Sequence, residues 1–306
     1  MSVTYLTLDG LVEEYKQYQR ATRGLGDRTL LGYERVVREQ VRVALGEDPI
    51  DPGDLQPSDV VQFVALMQTQ FCPASMKTVT TALRSFFRFL QVEGLCDERL
   101  QAAVPTVANW QRATVPRHLS DAQLEQLLGS LDVSKPCGHR DRAMLVCLAT
   151  LGLRPGEVAA LRLEDIDWRQ GTLHLHRLKG RRDTALPLPG EAGRAIATYL
   201  RRHRPRTAEH RVFVQEIGPR RGEPISRYAV SAVVTRALRR AGIEIPVAGA
   251  YVLRHTFASR MVRHGASLKE VADLLGHRSL DTTTIYAKLD LETLREVVLP
   301  WPEVQR

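Results

Sequence analysis

Three short segments near the end of the chain decide its fold: LRHTFA at 253–258, LLGHRS at 274–279 and TIYA at 284–287. They place an arginine, Arg254, a histidine, His277, and a tyrosine, Tyr286, within 33 residues on what the pattern predicts to be consecutive short helices. A phenol can attack a phosphodiester and remain attached to it, provided that nearby groups neutralise the phosphate and assist proton transfer. The pattern therefore indicates phosphoryl-transfer chemistry centred on Tyr286.

A second arginine lies in the stretch LGLRPGEV at residues 151–158. Arg154 directly precedes Pro155, which favours the first turn of a helix, so the guanidinium sits at a helix start where backbone N–H groups also attract an anion. A guanidinium can grip two phosphate oxygens at once. Taken alone, Arg154 is equally an ordinary surface arginine. Glu157, one turn further on, is expected to orient or support the site.

Together these segments resemble the tyrosine recombinases, the phage-integrase family, strongly over residues 117–300 and loosely over 1–100. The resemblance implies a site-specific DNA recombinase that cuts and rejoins DNA through a 3′-phosphotyrosine, without metal or ATP. It assigns the catalytic roles to five positions, which are Arg154, Lys179, Arg254, His277 and Tyr286. In this assignment the arginines bind the scissile phosphate, Tyr286 attacks it and His277 donates a hydrogen bond to it.

Individual positions in this set also have structural interpretations. His277 follows a helix that ends at Gly276, so it is also typical of a C-capping histidine. A tyrosine on a helix most often packs in the core. The nine-residue spacing between His277 and Tyr286 matches the family pattern, and the ensemble favours the catalytic interpretation.

Lys179 lies at the tip of a predicted hairpin, where the family places a lysine that protonates the leaving 5′-oxygen. An ammonium can deliver a proton, whereas a guanidinium, with a pKa above about 12, cannot. A solvated turn lysine is the alternative, and Arg181 or Arg182 is an alternative DNA contact.

The chain departs from the family at Tyr251, since a histidine usually stands three residues before the second arginine. A phenol can donate a hydrogen bond to a phosphate, but with a pKa near 10 it is a poor base at neutral pH. We expect Tyr251 to keep a phosphate hydrogen bond; the alternative is that it only packs. His255 is expected to satisfy the fold or to contact DNA.

The periodicity predicts a mainly α protein with a small β-sheet (α+β). Residues 1–100 form a four-helix bundle, which the resemblance makes a core-binding domain that clamps DNA, with Ser58 as an expected N-cap. Residues 101–116 form a linker, and 117–306 a catalytic domain with a tail helix. In that domain the alternation at 172–176 and 184–188 predicts a hairpin. Helices are expected at 121–130, 139–152, 190–204, 226–241, 251–264, 267–276, 281–287 and 290–298.

The distribution of charge along the chain predicts a polyanionic partner. The 306 residues carry a net charge of +8, but residues 1–116 hold 12 basic and 14 acidic residues, against 31 and 21 in residues 117–306. Double-stranded DNA is therefore better argued for the C-terminal part. The cysteines lack metal-ligand spacing, and His174 and His176 have no third ligand, so neither a metal nor another cofactor is expected.

The resemblance also implies an assembly of four protomers on two DNA sites, with room for accessory DNA-bending proteins. The tail helix docks on a neighbouring protomer or packs on its own domain. With no signal sequence or membrane span in view, a cytoplasmic, nucleoid-associated protein is expected. Integration, excision and dimer resolution stay open. Two rivals remain: a topoisomerase-like relaxer or resolvase, and an architectural or regulatory DNA-binding protein with impaired catalysis.

Overall fold

The chain divides into two compact units, Met1–Arg112 and Ala113–Arg306, each with its own apolar core. The computed structural model describes residues 7–46, 50–107, 117–176, 183–245, 249–276 and 283–289.

The N-terminal unit is a helical bundle. Its helices are α1 (Leu8–Arg23), α2 (Asp27–Leu45), α3 (Pro57–Gln70), α4 (Pro73–Val92) and the short α5 (Arg99–Ala103). Aromatic side chains fill its core, and Tyr15 packs edge-on against Phe86. The hydroxyl of Tyr15 bonds to Ser85 Oγ at 3.0 Å, so the polar end of this buried ring is satisfied.

Two details of this unit differ from the predictions. Helix α3 begins at Pro57, and its N-cap is Gln56, whose backbone N–H donates to the Asp59 carboxylate; Ser58, the expected cap, lies inside the first turn. Proline fits the first helical position because its missing N–H would be unpaired there anyway. Helix α5 extends into the stretch assigned to a linker, because Leu100 is buried in the N-terminal core.

The C-terminal unit is helical with one small sheet. Its helices are α6 (Asp121–Gly129), α7 (Gly138–Leu151), α8 (Pro155–Ala160), α9 (Gly190–Arg202), α10 (Arg227–Arg240), α11 (Tyr251–Arg263) and α12 (Leu268–Leu275). Three antiparallel strands, β1 (Ile166–Asp167), β2 (Thr172–Leu175) and β3 (Thr184–Pro187), lie in the order β1-β2-β3. The predicted hairpin is β2–β3, and the mainly α fold with a small sheet is confirmed. Strand β1 was not predicted, since two residues are too few to show an alternation.

Helix α7 is the centre of this unit. Its residues from Ala143 to Ala149 are all buried, and the helix packs against α9 and α11. A helix that is apolar all round belongs inside a core. Because α7 is enclosed, its C-terminus is held against α11 and becomes a fixed point for the residues that follow it.

Capping residues begin two of the helices, α6 and α12, as predicted. Ser120 accepts from the Gln123 N–H at 3.1 Å, while the Gln123 side chain accepts from Ser120 N at 3.0 Å. Ser267 and Glu270 form the same reciprocal pair at the start of α12. Both capping boxes are therefore confirmed.

The helix predicted at 281–287 is wrong in type. The described part of that segment is a 3-10 helix, Thr284–Leu289. Its β-branched residues, such as Thr284 and Ile285, lose side-chain freedom in an α-helix, which favours a short alternative. The tail helix predicted at 290–298 lies outside the described residues.

Two further findings concern the whole described chain. All four cysteines are free thiols: Cys72, Cys96, Cys137 and Cys147. Across the described ranges, no helix combines the length and the apolar character that crossing a membrane requires.

Gly152, which ends α7, permits a close approach of α11 and α12 that no other residue type allows. Its φ is +61°, and an added Cβ would lie 2.4 Å from Phe257 Cδ1 and 2.9 Å from Leu275 Cδ2. We expect Gly152→Ala to lower the free energy of unfolding by about 1–2 kcal/mol for the left-handed backbone and by a further ~1–3 kcal/mol for overpacking. Urea unfolding measures this loss.

The matched control is Gly242→Ala. Gly242 has a similar φ of +65°, but nothing lies within 4 Å of the position of its Cβ. This variant should therefore show the backbone cost alone. Equal losses in the two variants would contradict the role of close packing at Gly152.

Candidate active site

Arg254 is a buried cation at the meeting point of three helices. It lies in the second turn of α11, and its guanidinium donates from Nη1 to the carbonyl of Gly152 at 2.6 Å and from Nη2 to that of Leu275 at 2.7 Å. These carbonyls end α7 and α12, where the helix dipoles are negative and favour a cation. The side chain is therefore held in one orientation by two helix C-termini.

Arg154 is the N-cap residue of α8 and points to the same place. Its backbone N–H donates to Glu157 Oε2 at 2.8 Å, and its Nη1 donates to Glu157 Oε1 at 2.8 Å. The same Nη1 lies 3.3 Å from the carbonyl oxygen of Leu275. Glu157 therefore orients Arg154 through two bonds, and both arginines meet at one carbonyl oxygen.

This convergence concentrates positive charge. Two guanidinium groups share the Leu275 carbonyl, although they come from positions 100 residues apart in the sequence. The fork geometry of each group suits an oxyanion such as a phosphate. Arg154 and Glu157 are both partly buried, with 21% and 16% of their side chains exposed, which reduces solvent screening of the pair.

Tyr286 lies in a small apolar cluster beside the arginines. It is 1% exposed and belongs to the 3-10 helix that packs against α11 and α12. Its neighbours in the cluster include Ala258, Val262, Val271 and Leu275. Burial raises the pKa of the Tyr286 phenol to about 12, while Arg254 acts in the opposite direction. Removal from water thus disfavours the phenolate, and the nearby cation favours it.

The Tyr286 hydroxyl is hydrogen-bonded to His255. Its Oη lies 2.7 Å from His255 Nδ1. Burial lowers the pKa of His255, and the electrostatic interactions with Arg254 and His118 add to the effect. The segment that carries His118 is tied to α11, because the backbone N–H of Leu119 donates to Thr256 Oγ1 at 2.9 Å. The imidazole is therefore held neutral at pH 7, in contact with the phenol.

The sequence did not indicate this contact. His255 was expected to satisfy the fold or to contact DNA. Its separation of 31 residues from Tyr286 corresponds to no repeating pattern. Its position next to Arg254 in the chain was the available signal. The turn between α11 and α12 and the 3-10 helix then bring the two side chains together.

Tyr251 is the first residue of α11, one turn before Arg254. It is 58% exposed, which does not fit the alternative that it only packs. Its phenol is accessible to solvent at the helix start.

Two of the predicted site residues, Lys179 and His277, lie outside the described residues, as do Arg181 and Arg182. The structure describes the residues that precede and follow each of the two segments. Helix α12 ends at Gly276, which has a left-handed φ of 58°, one residue after the carbonyl that the two arginines share. Strand β2 ends before Lys179 and β3 begins after it, and Leu175, the last residue of β2, pairs with Thr184, the first residue of β3.

His176, directly after β2, contacts two carboxylates. Its Nδ1 lies 3.0 Å from Asp183 and its Nε2 lies 3.3 Å from Asp165. In the ranges that the structure describes, no three His, Cys, Asp or Glu residues are grouped to hold a metal ion.

Known families match both units of the chain. Residues 117–292 match the sequence profile of the phage integrase family, and residues 12–94 match that of the phage integrase N-terminal SAM-like domain. The first match covers more than half of the chain and contains Arg154, Arg254 and Tyr286.

Relatives extend over nearly the full length. A Sinorhizobium fredii protein named integrase/recombinase y4rA is 42% identical over 291 residues, which span 95% of this chain and 70% of that protein. The tyrosine recombinase XerD of Listeria monocytogenes is 30% identical over 299 residues, or 95% of this chain and 97% of XerD.

Solved structures share the fold at lower identity. The XerH recombinase bound to palindromic difH substrate, a post-cleavage complex, superimposes with a TM-score of 0.73 at 20% identity, over 95% of this chain and 83% of XerH. A lambda integrase dimer bound to a COC′ core site gives a TM-score of 0.70 at 21% identity, over 99% of this chain and 81% of that one.

The buried phenol predicts a pH dependence of stability. The pKa of Tyr286 is raised to about 12 in the folded protein, against a usual value near 10. The folded state therefore keeps this proton longer than the unfolded chain does, and its contribution to stability is lost as the pH rises from about 10 to 12. Urea unfolding at several pH values should show a shallower loss in Tyr286→Phe than in the natural chain.

A residual slope is expected in the variant, because burial also raises the pKa values of Tyr15 and Tyr199 to about 12. Tyr251→Phe, at an exposed phenol, is the control and should leave the slope as it is. Identical slopes in the natural chain and in Tyr286→Phe would contradict the burial of the phenol.

Proposed function

Since this chain belongs to the phage integrase family of tyrosine recombinases, we propose that it cuts and rejoins DNA through a 3′-phosphotyrosine at Tyr286. Members of this family are site-specific recombinases, and the chain is an enzyme of that class. One observation carries the finer proposal: Arg154 and Arg254 meet at the carbonyl of Leu275, next to the cluster that holds Tyr286.

Phosphate binding is the first step that we propose. The guanidinium groups of Arg154 and Arg254 neutralise the scissile phosphate and stabilise the charge that develops on its oxygens during attack. Donors that are already oriented cost no reorganisation at that moment, and Glu157 and the helix carbonyls supply this orientation. Two positive charges at the phosphate supply the charge neutralisation that a Mg²⁺ ion provides in many phosphoryl-transfer sites.

Strand cleavage is the second step. The Tyr286 oxygen forms a bond to phosphorus as the bond to the 5′-oxygen breaks, and the tyrosine proton leaves to a base. We assign protonation of the 5′-oxygen to Lys179 and a phosphate hydrogen bond to His277, both from the family resemblance. The phosphotyrosine conserves the energy of the broken bond, so the 5′-hydroxyl of a partner strand reverses the step without ATP.

The partner that we propose is double-stranded DNA in an assembly of four protomers on two sites. The excess of basic over acidic residues in 117–306 supports a polyanion partner. Structures of similar fold include XerH on difH substrate and the Tn1549 transposon integrase with a circular intermediate DNA. We propose integration, excision or resolution of a mobile element or replicon as the role, with accessory DNA-bending proteins where the site requires them.

The test of this function is a covalent adduct. Duplexes of randomised sequence, nicked so that the short cleaved strand diffuses away, are incubated with the protein in EDTA, and the DNA recovered in adducts defines a selected duplex. We expect an adduct on denaturing gels that peptide mapping places on Tyr286 and that Tyr286→Phe abolishes. A complex that binds the DNA without ever becoming covalent would favour an architectural protein, and an adduct on Tyr251 would overturn the choice of nucleophile.

Tyr251 has a separate expected effect. If its exposed hydroxyl donates a hydrogen bond to the scissile phosphate, Tyr251→Phe removes a bond to a charged group that is worth about 1.5–3 kcal/mol. Cleavage of the selected duplex should slow by roughly 10-fold to 100-fold. Tyr228→Phe, at another phenol that is 59% exposed, is the matched control. Equal rates in the two variants would remove the phosphate contact from the proposal.

A further inference from the structure

The contact between His255 and Tyr286 joins an imidazole directly to the reacting oxygen. Their 2.7 Å separation lies within the range over which a general base takes a proton. Both groups are set by packed elements, His255 by the middle of α11 and Tyr286 by the 3-10 helix. Among the described residues, His255 is the hydrogen-bond partner of this hydroxyl.

The charges around the pair determine where the proton lies before attack. Three groups face His255: the Tyr286 phenol from the 3-10 helix, Arg254 from its own helix, and His118 from the segment before α6. Burial, the charge of Arg254 and the interaction with His118 lower the pKa of His255, so at neutral pH the imidazole carries one N–H and one free lone pair. The phenol, with its raised pKa, is protonated. In the tautomer that carries its proton on Nε2, the imidazole accepts the tyrosine O–H at Nδ1.

We infer that His255 is the general base that accepts the proton of Tyr286 as the phenol attacks the scissile phosphate. This inference rests on the proposed function and supplies the base that Tyr251, at the usual histidine position, does not provide. In the step, the O–H proton of Tyr286 moves to His255 Nδ1, Oη bonds to phosphorus, and the bond from phosphorus to the 5′-oxygen breaks. The departing oxygen takes a proton from the separate acid, and His255 returns its own proton when the strand is rejoined.

Arg254 has two opposite effects on this proton transfer. Arg254 stabilises the developing phenolate, which assists transfer of the proton, and it also disfavours a lasting imidazolium at His255, which favours return of the proton to the tyrosine. Both effects act because the pair is buried, where charges interact more strongly than in water.

The first arm of the test uses His255→Asn. The side-chain amide of asparagine lies close to where Nδ1 of histidine lies, so it can still hydrogen-bond to Tyr286, but it does not accept a proton. We expect formation of the adduct with the selected duplex to slow by about 100-fold or more in single-turnover assays. The matched control is His264→Asn, an exposed histidine at the end of the same helix, which should react at the natural rate.

The second arm follows the pH. In the natural chain, the cleavage rate should rise with pH and level off above the pKa of His255, once the imidazole is neutral. In His255→Asn, the rate should continue to rise with pH, since the phenol must then ionise by itself and its pKa is about 12. A residue that merely orients the ring would leave the shape of this profile unchanged.

The third arm separates a base from an acid. A selected duplex with sulfur in place of the bridging 5′-oxygen has a leaving group that needs no protonation. We expect this substrate to restore little activity to His255→Asn, whereas it should restore cleavage to a variant that lacks the acid, such as Lys179→Ala. Recovery of His255→Asn with the sulfur substrate would make His255 an acid and overturn the inference.

The outcomes distinguish this inference from the proposed function. If the natural chain forms no adduct on Tyr286, the function fails and the base role fails with it. If the adduct forms and His255→Asn matches the natural rate and pH profile, only the base role is overturned. Melting temperature and DNA binding report whether the variant folds. If it does not, the natural pH profile decides, because a rate without an acidic limb excludes a titrating base.

Discussion

The carbonyl oxygen of Leu275 is the atom on which the arrangement of the candidate active site depends. It ends α12, carries the negative end of a helix dipole, and accepts hydrogen bonds from both Arg154 and Arg254. One acceptor therefore sets the distance between two cations that would otherwise repel each other. The carboxylate of Glu157 and the carbonyl of Gly152 provide the remaining bonds that orient the pair.

Burial determines the protonation of the Tyr286 and His255 side chains. The same packing that places Tyr286 at 1% exposure raises the pKa of its phenol and lowers the pKa of His255. The two shifts leave a protonated phenol beside a neutral imidazole, which is the starting state for a proton transfer. The apolar cluster between α11, α12 and the 3-10 helix thus determines both the position and the protonation of the Tyr286 phenol.

Much of the fold follows from local signals. The capping pairs at Ser120 and Ser267 mark helix starts, and Pro155 marks the start of α8, because each satisfies or removes unpaired N–H groups of the first turn. Elements that lack such signals were missed or given the wrong type. Strand β1 has two residues and α5 has five, and the segment around Tyr286, whose β-branched residues disfavour an α-helix, forms a 3-10 helix.

Residue types and their spacing were sufficient to identify the family. They also predict Arg154, Arg254 and Tyr286 as site residues, because phosphoryl transfer needs cations and a nucleophile, and side chains are visible in a sequence. The contacts that hold these side chains in place do not follow from residue types or spacing. The acceptors for the arginines are backbone carbonyls, which every residue possesses, and the partner of the phenol is a histidine 31 positions away. Which carbonyl and which histidine are used depends on how α7, α11 and α12 pack, because packing brings together groups whose separation along the chain follows no period.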